Sequence, residues 1–266
     1  MIKKIPIGIS SCLLGQNVRY DGGKKLDNYI TGTLSAYFDF QPFRPEVSIG
    51  LGTPRPPIHL VKNDNGLRCV NIKNPEIDLT DQLRSYAEHQ QNLYVSLCGY
   101  ILKKSSPSCG MEMVKVFSGT QSQKNGVGIY AEEMMRLNPL LPVEEGRLGD
   151  PGLRENFIQR VYVFYRWKTM LSEGLTVSGL TNFHAHHKLI IMSHGEYRSL
   201  GQLIAEITKA DLTKVADKYI FQQMTMLKKP VNRKNHVNVL QHIQGYLKQA
   251  LSADDKAELC EVIERY

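Results

Sequence analysis

Ile5-Pro6-Ile7-Gly8-Ile9-Ser10-Ser11-Cys12-Leu13-Leu14-Gly15 and Lys103-Lys104-Ser105-Ser106-Pro107-Ser108-Cys109-Gly110 decide the reading of this chain. Each stretch places one cysteine just after an expected strand, Ile5 to Ile9 in the first case and Leu93 to Cys98 in the second. A cysteine there sits at the carboxyl edge of a sheet, where open α/β folds build their ligand sites. Pro107 fixes its own φ and pushes Ser106 towards an extended conformation, and Gly110 lets the backbone turn tightly behind the thiol. The second loop therefore reads as a rigid holder for one sulfur and two hydroxyls. The plain alternative is that Cys12 and Cys109 are small buried hydrophobes, as most unpaired cysteines are.

Outward from these loops, short apolar runs alternate with helical periods up to about Gly149. Strands are expected at Ile5 to Ile9, Val47 to Leu51, Leu93 to Cys98 and Met113 to Val116, and helices at Leu79 to Leu93 and Ile129 to Leu137. Such alternation predicts an α/β N-terminal domain with a largely parallel sheet. Asn125-Gly126-Val127-Gly128, which leads into the second helix, reads either as a phosphate cradle or as a plain turn. Gly50-Leu51-Gly52-Thr53-Pro54-Arg55-Pro56-Pro57 is stiffened by three prolines and holds Arg55 out on a rigid arm. An arginine so placed pairs with a carboxylate or phosphate, or is a plain surface cation.

Pro139 to Gly152 is rich in proline and glycine and reads as a linker, which divides the chain into residues 1–148 and 149–266. Beyond it the apolar period becomes 3.6, with helices expected at Leu153 to Glu173, Leu180 to Met192, Glu196 to Thr208, Leu212 to Leu227, Val237 to Leu251 and Ala253 to Tyr266. The second domain should be all-α. It is also where the net charge of +7 is concentrated, with 14 lysines and arginines against 6 acidic residues from Arg154 to Lys248. Arg160, Tyr162, Tyr165, Arg166, Trp167 and Lys168 mix cations with aromatic rings, and Lys188 closes the run Phe183-His184-Ala185-His186-His187-Lys188. Cations beside rings suit nucleic acid, with phosphate on the charges and bases on the rings; the other reading is an amphipathic helix with its rings in a core. His184, His187 and His194 fall near one helical face, but no acidic or cysteine partner stands at a spacing that would complete a zinc site.

Five scattered cysteines without a disulfide spacing indicate a reducing compartment. The opening apolar run is short and carries Pro6, so it reads as a strand and not as a leader, and no stretch reaches the ~18 apolar residues of a membrane helix. A cytoplasmic protein is expected.

Several motifs in order resemble the bacterial thiouracil desulfidase family: Ser11-Cys12-Leu13-Leu14-Gly15, Val18-Arg19-Tyr20-Asp21-Gly22, Pro45-Glu46-Val47, Thr53-Pro54-Arg55-Pro56-Pro57 and Ser106-Pro107-Ser108-Cys109-Gly110. The second half resembles the YbgA-type helical domain often fused to it, through Leu153-Arg154-Glu155-Asn156-Phe157, Phe183-His184, His187-Lys188 and Asn235 to His242. The resemblance implies a [4Fe-4S] cluster on three cysteines with one open iron, and desulfuration of thiolated pyrimidines, in the fused form 4-thiouridine of tRNA. It makes Cys12 and Cys109 cluster ligands, Glu46 the proton-handling carboxylate, Ser106 a hydroxyl that orients water or substrate, and Arg55 a substrate-binding residue. Arg166, Lys168 and Lys188 become the expected RNA contacts. This sequence departs from the family directly before Pro45-Glu46, where a third cysteine is replaced by Arg44. Guanidinium cannot ligate iron. Either Cys98 or Cys69 supplies the third sulfur, or the cluster is labile or absent. Related chains also continue past the equivalent of Tyr266, so the helical domain is expected to be shortened. Three functions remain in play: an iron–sulfur tRNA desulfidase, a tRNA-binding protein with a decayed centre, and a cluster-free enzyme with Cys109 as nucleophile.

Overall fold

The computed structural model describes residues 3–64, 66–146, 148–205, 207, 211–247 and 249–265, in two units, residues 1–157 and 158–266. The first unit is built on a parallel sheet in the order β2-β1-β5-β8, formed by β1 (Ile5–Ser10), β2 (Phe38–Phe43), β5 (Tyr100–Leu102) and β8 (Val143–Glu145). β1 pairs in parallel with β2 along its whole length and with β5 through Gly8 and Ile9. Ile5, Ile7 and Ile9 on one face are all buried, and so are Gly8 and Ser10 on the other, as a strand covered on both faces requires. The α/β expectation holds, and the sheet that carries both cysteine loops is wholly parallel.

A second four-stranded sheet, in the order β4-β3-β6-β7, goes beyond the sequence expectation. It comprises β3 (Ile58–Asn63), β4 (Gly66–Asn71), β6 (Val114–Ser118) and β7 (Gln121–Gly126), with two antiparallel hairpins joined by a parallel β3·β6 pairing. β7 reads Gln121-Ser122-Gln123-Lys124-Asn125-Gly126 and is an edge strand, so it needs no apolar face and leaves no period in the sequence. β2 is hidden in the sequence because Asp39 and Pro42 argue against a strand. Proline is tolerated there because β2 is the edge of its sheet.

Two expected strands are corrected. Val47 to Leu51 is not extended; Pro45–Ser48 form one helical turn, α1, with proline at its first position. Leu93 to Cys98 is likewise a short helix, α3 (Gln91–Tyr94), and a turn, the strand being the three residues Tyr100–Leu102 beyond it. A short apolar run alone does not distinguish these states. The expected linker also contains β8, although Arg147 within it lies outside the described residues. The helices α2 (Thr80–His89) and α4 (Ile129–Leu137) pack on each other, burying Leu83, Ala87, Tyr130 and Met134. The Tyr130 hydroxyl meets those of Tyr94 at 2.9 Å and Tyr100 at 3.0 Å, which satisfies three polar groups buried in the core.

The second unit is helical throughout, as expected: the greater part of α5 (Pro151–Glu173), then α6 (Val177–His186), α7 (Lys188–Ser193), α8 (Tyr197–Ala205), α9 (Leu212–Leu227), α10 (Arg233–Tyr246) and α11 (Ala253–Arg265). The helix ends expected at Thr208 and Tyr266 lie outside the described residues. Thr176 and Asn232 cap α6 and α10 by accepting the N–H of Gly179 and Asn235, both at 2.9 Å. Trp167 stacks on Tyr219 at 6.3 Å and meets Phe183 edge-on at 5.3 Å, so these rings form a core.

The expected helix Leu180 to Met192 breaks at His187. Its Nδ1 donates to the Phe183 carbonyl at 2.7 Å, its Nε2 has no partner among the described residues, and burial pushes its pKa down to about 4. A pKa depressed below the unfolded value of 6.5 means that the unfolded chain takes up the proton first, so stability is lost as pH falls from 6.5 towards 4. The loss is expected to reach about 3 kcal/mol. Fluorescence of Trp167, the one tryptophan of the chain, should report acid unfolding that His187→Phe moves to lower pH. Equal acid midpoints for the two proteins would dismiss this account.

Candidate functional site

β2, β1 and β5 are neighbours in one parallel sheet, so the segments leaving their carboxyl ends converge. Arg44-Pro45-Glu46 leaves β2. Ser11 to Leu14 leaves β1 as a short 3-10 turn closed by Gly15, whose φ of +86° suits glycine. Lys103 to Gly110 leaves β5, pinned by a hydrogen bond from the Lys103 N–H to Ser10 Oγ at 3.0 Å. Between them lies a cavity of about 360 Å3 lined by Ser11, Cys12, Arg44, Glu46, Lys103 and Cys109, among others. Arg55 and Ser106 also border it.

The cysteine loop is fastened to the start of α4. The carbonyls of Pro107 and Ser108 accept the N–H groups of Ile129 and Ala131, and that of Gly110 accepts Gly128 N–H at 2.8 Å. These bonds satisfy helix N–H groups that have no partner within the helix. The Asn125–Gly128 segment is thus neither a phosphate cradle nor a plain turn. Gly128 leaves room for the loop's backbone.

Glu46 is held at both oxygens. Oε2 pairs with Arg55 Nη2, and Oε1 accepts from Ser108 Oγ at 2.5 Å. Arg55 in turn donates to the carbonyls of Val18 at 3.0 Å and Gly52 at 3.3 Å. The rigid proline arm therefore delivers its guanidinium to the chain's own carboxylate. Ser108 is fully buried and touches Ser106 Oγ at 3.0 Å and Cys109 Sγ at 3.4 Å, so it is the hydroxyl that links carboxylate to thiol. The resemblance gives the hydroxyl's role to Ser106, which instead bonds Ser108 and accepts the Cys109 N–H at 3.2 Å. No spacing rule separates two serines flanking one proline. Burial pushes the Cys109 thiol up to about 11, the Ser108 hydrogen bond opposing it, and burial likewise raises Cys12 against the nearby Lys103 and Arg19.

Neither alternative sulfur reaches this cavity. Cys98 binds the Pro6 carbonyl through its N–H at 2.8 Å, at the amino end of β1. Four residues of strand, about 13 Å, separate that point from Ser10. Cys69 is fully buried in β4 of the other sheet, opposite Leu60. Among the described residues no group of three or more His, Cys, Asp or Glu is placed to hold a metal ion. The donor set at the cavity is two thiols and a guanidinium, which does not fit a cluster held by three thiolates.

Comparison with known proteins bears on this arrangement. A family model described as 2-thiouracil desulfurase matches residues 7–146, more than half of the chain. The chain belongs to that family. A second model, described as a protein of unknown function (DUF1722), matches residues 188–266. The uncharacterized protein YbgA of Escherichia coli K12 is 29% identical over 110 residues, which is 40% of this chain and 65% of that relative, so the chain spans under two thirds of it. A solved structure of a [4Fe-4S]-dependent thiouracil desulfidase, TudS, is 30% identical and covers 59% of this chain and 99% of its own, with a TM-score of 0.46. The 2-thiouracil desulfurase region contains Ser11, Cys12, Arg44, Glu46, Arg55, Lys103, Ser106 and Cys109, every residue of the cavity named above.

In the second unit the expected RNA contacts do not form one face. Arg166 and Lys168 are two residues apart on α5, about 200° around the helix. Arg166 is exposed and lies 6.0 Å from the Tyr162 ring, and Lys168 lies 5.8 Å from that of Phe164. Lys188 donates to Tyr246 Oη at 2.9 Å between the rings of Tyr197 and Tyr246. The exposed cations closest in sequence are Lys228, Lys229, Arg233 and Lys234, where α9 gives way to α10. The three histidines are engaged separately: His184 with Tyr219 Oη at 3.1 Å, His187 with Phe183, and His194 with the carbonyls of Ile190 and Lys229. No helix among the described residues is long and apolar enough to cross a membrane.

Proposed function

We propose that this chain takes a thiolated pyrimidine into the cavity of its first unit, with 4-thiouridine of tRNA as the substrate, and that its desulfurating centre is incomplete as the sequence stands. The observation that carries the reading is the single cavity shared by Cys12, Cys109 and Glu46, with Arg44 in the third position. Its volume falls within the roughly 300–1,000 Å3 of small-molecule pockets. Replacing C=S by C=O is a net hydrolysis: water supplies the oxygen, sulfide leaves, and no electrons are exchanged. Glu46 and Ser108 are the groups here that hold and pass protons, the carboxylate fixed by Arg55 and the hydroxyl within reach of Cys109.

The helical unit supplies basic surface for the RNA. Because Arg166, Lys168 and Lys188 are dispersed and partly engaged with rings, phosphate contact is better carried by Lys228, Lys229, Arg233 and Lys234. Affinity should be measured over a range of salt for one tRNA with and without its 4-thiouridine. The thiolated form is expected to bind more tightly. Alanine at the four α9–α10 cations should lower the salt slope by roughly one for each phosphate that a removed cation had neutralised, and alanine at Arg166, Lys168 and Lys188 should change it less. Equal binding of the two RNAs would support the second reading, an RNA-binding protein without chemistry, and an unaltered slope would remove the helical unit as the RNA platform.

A further inference from the structure

Arg44 leaves one corner of the cavity with unanswered positive charge. It is exposed, and its guanidinium makes no hydrogen bond or ion pair among the described residues. Of the other cations lining the cavity, Arg19 is paired with Asp21 at 3.0 Å and Arg55 with Glu46. Lys103 and Lys104 make no ion pair among the described residues; the Lys103 ammonium donates to the Lys104 carbonyl at 2.6 Å. Glu46 is the cavity's one carboxylate among the residues that line it, and both its oxygens are taken.

An independent observation concerns Ser11. The residue lines the same cavity and is 1% exposed, yet its Oγ has no hydrogen-bond partner among the described residues. A buried hydroxyl without a partner has given up its hydration for nothing, which is why such groups are rare. With Arg44 and Lys103 lining the same cavity, the partner that fits is an acceptor that carries negative charge.

We propose that the space bounded by Cys12, Arg44 and Cys109 in this chain binds a phosphate-class oxyanion in place of a cluster, with Arg44 and Lys103 supplying charge and Ser11 a hydrogen bond. The planar guanidinium presents paired N–H donors that match two oxygens of such an anion, which a thiolate at the same position would repel. The proposal rests on the position of Arg44 and not on the RNA substrate.

The test is a phosphorus NMR titration of the full chain, kept reduced and without added iron. One arm uses inorganic phosphate and the other dimethyl phosphate, a mimic of the nucleic-acid backbone. Saturable binding is expected, weakened about tenfold or more by Arg44→Met, which removes one charge-assisted hydrogen-bonding group, and to a lesser degree by Ser11→Ala. Binding of both ligands identifies a backbone phosphodiester as the source, and binding of inorganic phosphate alone identifies a free or terminal phosphate. Arg44 is exposed, so Arg44→Met should leave the circular dichroism spectrum unchanged. No saturable binding in either arm, or unchanged binding by Arg44→Met, overturns the proposal. Phosphate binding with no preference for thiolated tRNA leaves this site standing and removes the proposed function, and the reverse result does the opposite.

Discussion

An Arg44→Cys variant reconstituted anaerobically with iron and sulfide is expected to retain at least about tenfold more iron per chain than the wild type, and to release sulfide from 4-thiouridine in tRNA where the wild type scarcely does. The magnitude is a lower bound, because removing an outer hydrogen-bond partner alone costs about 10–100-fold in metal affinity and here a ligand itself is at stake. The geometry favours the substitution. Residue 44 leaves β2 beside β1, at the rim of the cavity that holds Cys12 and Cys109, and it is exposed, so a smaller side chain opens no void in the core. The sequence alone suggests a second benefit, relief of a cation that weakens Glu46 as a base. The structure assigns that influence to Arg55, which grips Glu46 directly and remains in the variant. The gain should therefore come from the thiolate. Arg44→Ser, which removes the cation without adding a ligand, is expected to stay at the wild-type level. If Arg44→Ser matches Arg44→Cys, or if the wild type loads fully and loses iron on Cys98→Ala, the third-ligand account is wrong.

The site is legible in the sequence where chemistry requires a particular residue at the end of a strand. Cys12, Cys109 and Glu46 stand out through their motifs, and all three border one cavity. What the sequence hides is which strand leads to which loop. Glu46 reads as standing ahead of a strand at Val47 to Leu51, but it follows β2, whose Asp39 and Pro42 disguise it as a loop. Cys98 reads as a neighbour of the Cys109 loop because Leu93 to Cys98 has the pattern of a strand. With Tyr100–Leu102 as the true strand, Cys98 moves to the opposite end of the sheet. The helical unit is more legible because its packing follows a 3.6 period, and what the linear string leaves out there is the face each side chain takes. Arg166 and Lys168 look like a patch in a linear string and point apart on a helix. Likewise the partners of Arg55 and Ser108 are 9 and 62 residues away, beyond any local pattern.

Gly128→Ala is expected to destabilise the first unit by roughly 2–4 kcal/mol and to expose Cys109 to alkylation, although a glycine-to-alanine change ahead of a helix is ordinarily harmless. The backbone at residue 128 has φ −65° and ψ 137°, which alanine adopts without strain, so conformation is not the obstacle. Space is. An added Cβ would stand 2.6 Å from the Ser108 carbonyl carbon and oxygen and 2.8 Å from the Cys109 nitrogen. These are main-chain atoms, and no side-chain rotation relieves them. The loop must lift away from α4, loosening the bonds from Gly128, Ile129 and Ala131 to the carbonyls of Gly110, Pro107 and Ser108, each contributing about 1 kcal/mol. Moving Ser108 also draws its hydroxyl from Glu46, which leaves the carboxylate one hydrogen bond short. Gly32→Ala is the control, since nothing lies within 4 Å of its added Cβ. Circular dichroism through a urea titration and the rate of thiol alkylation should both separate the two variants. If Gly128→Ala unfolds at the same urea concentration as Gly32→Ala and its thiols stay protected, the loop is not clamped on α4 as described.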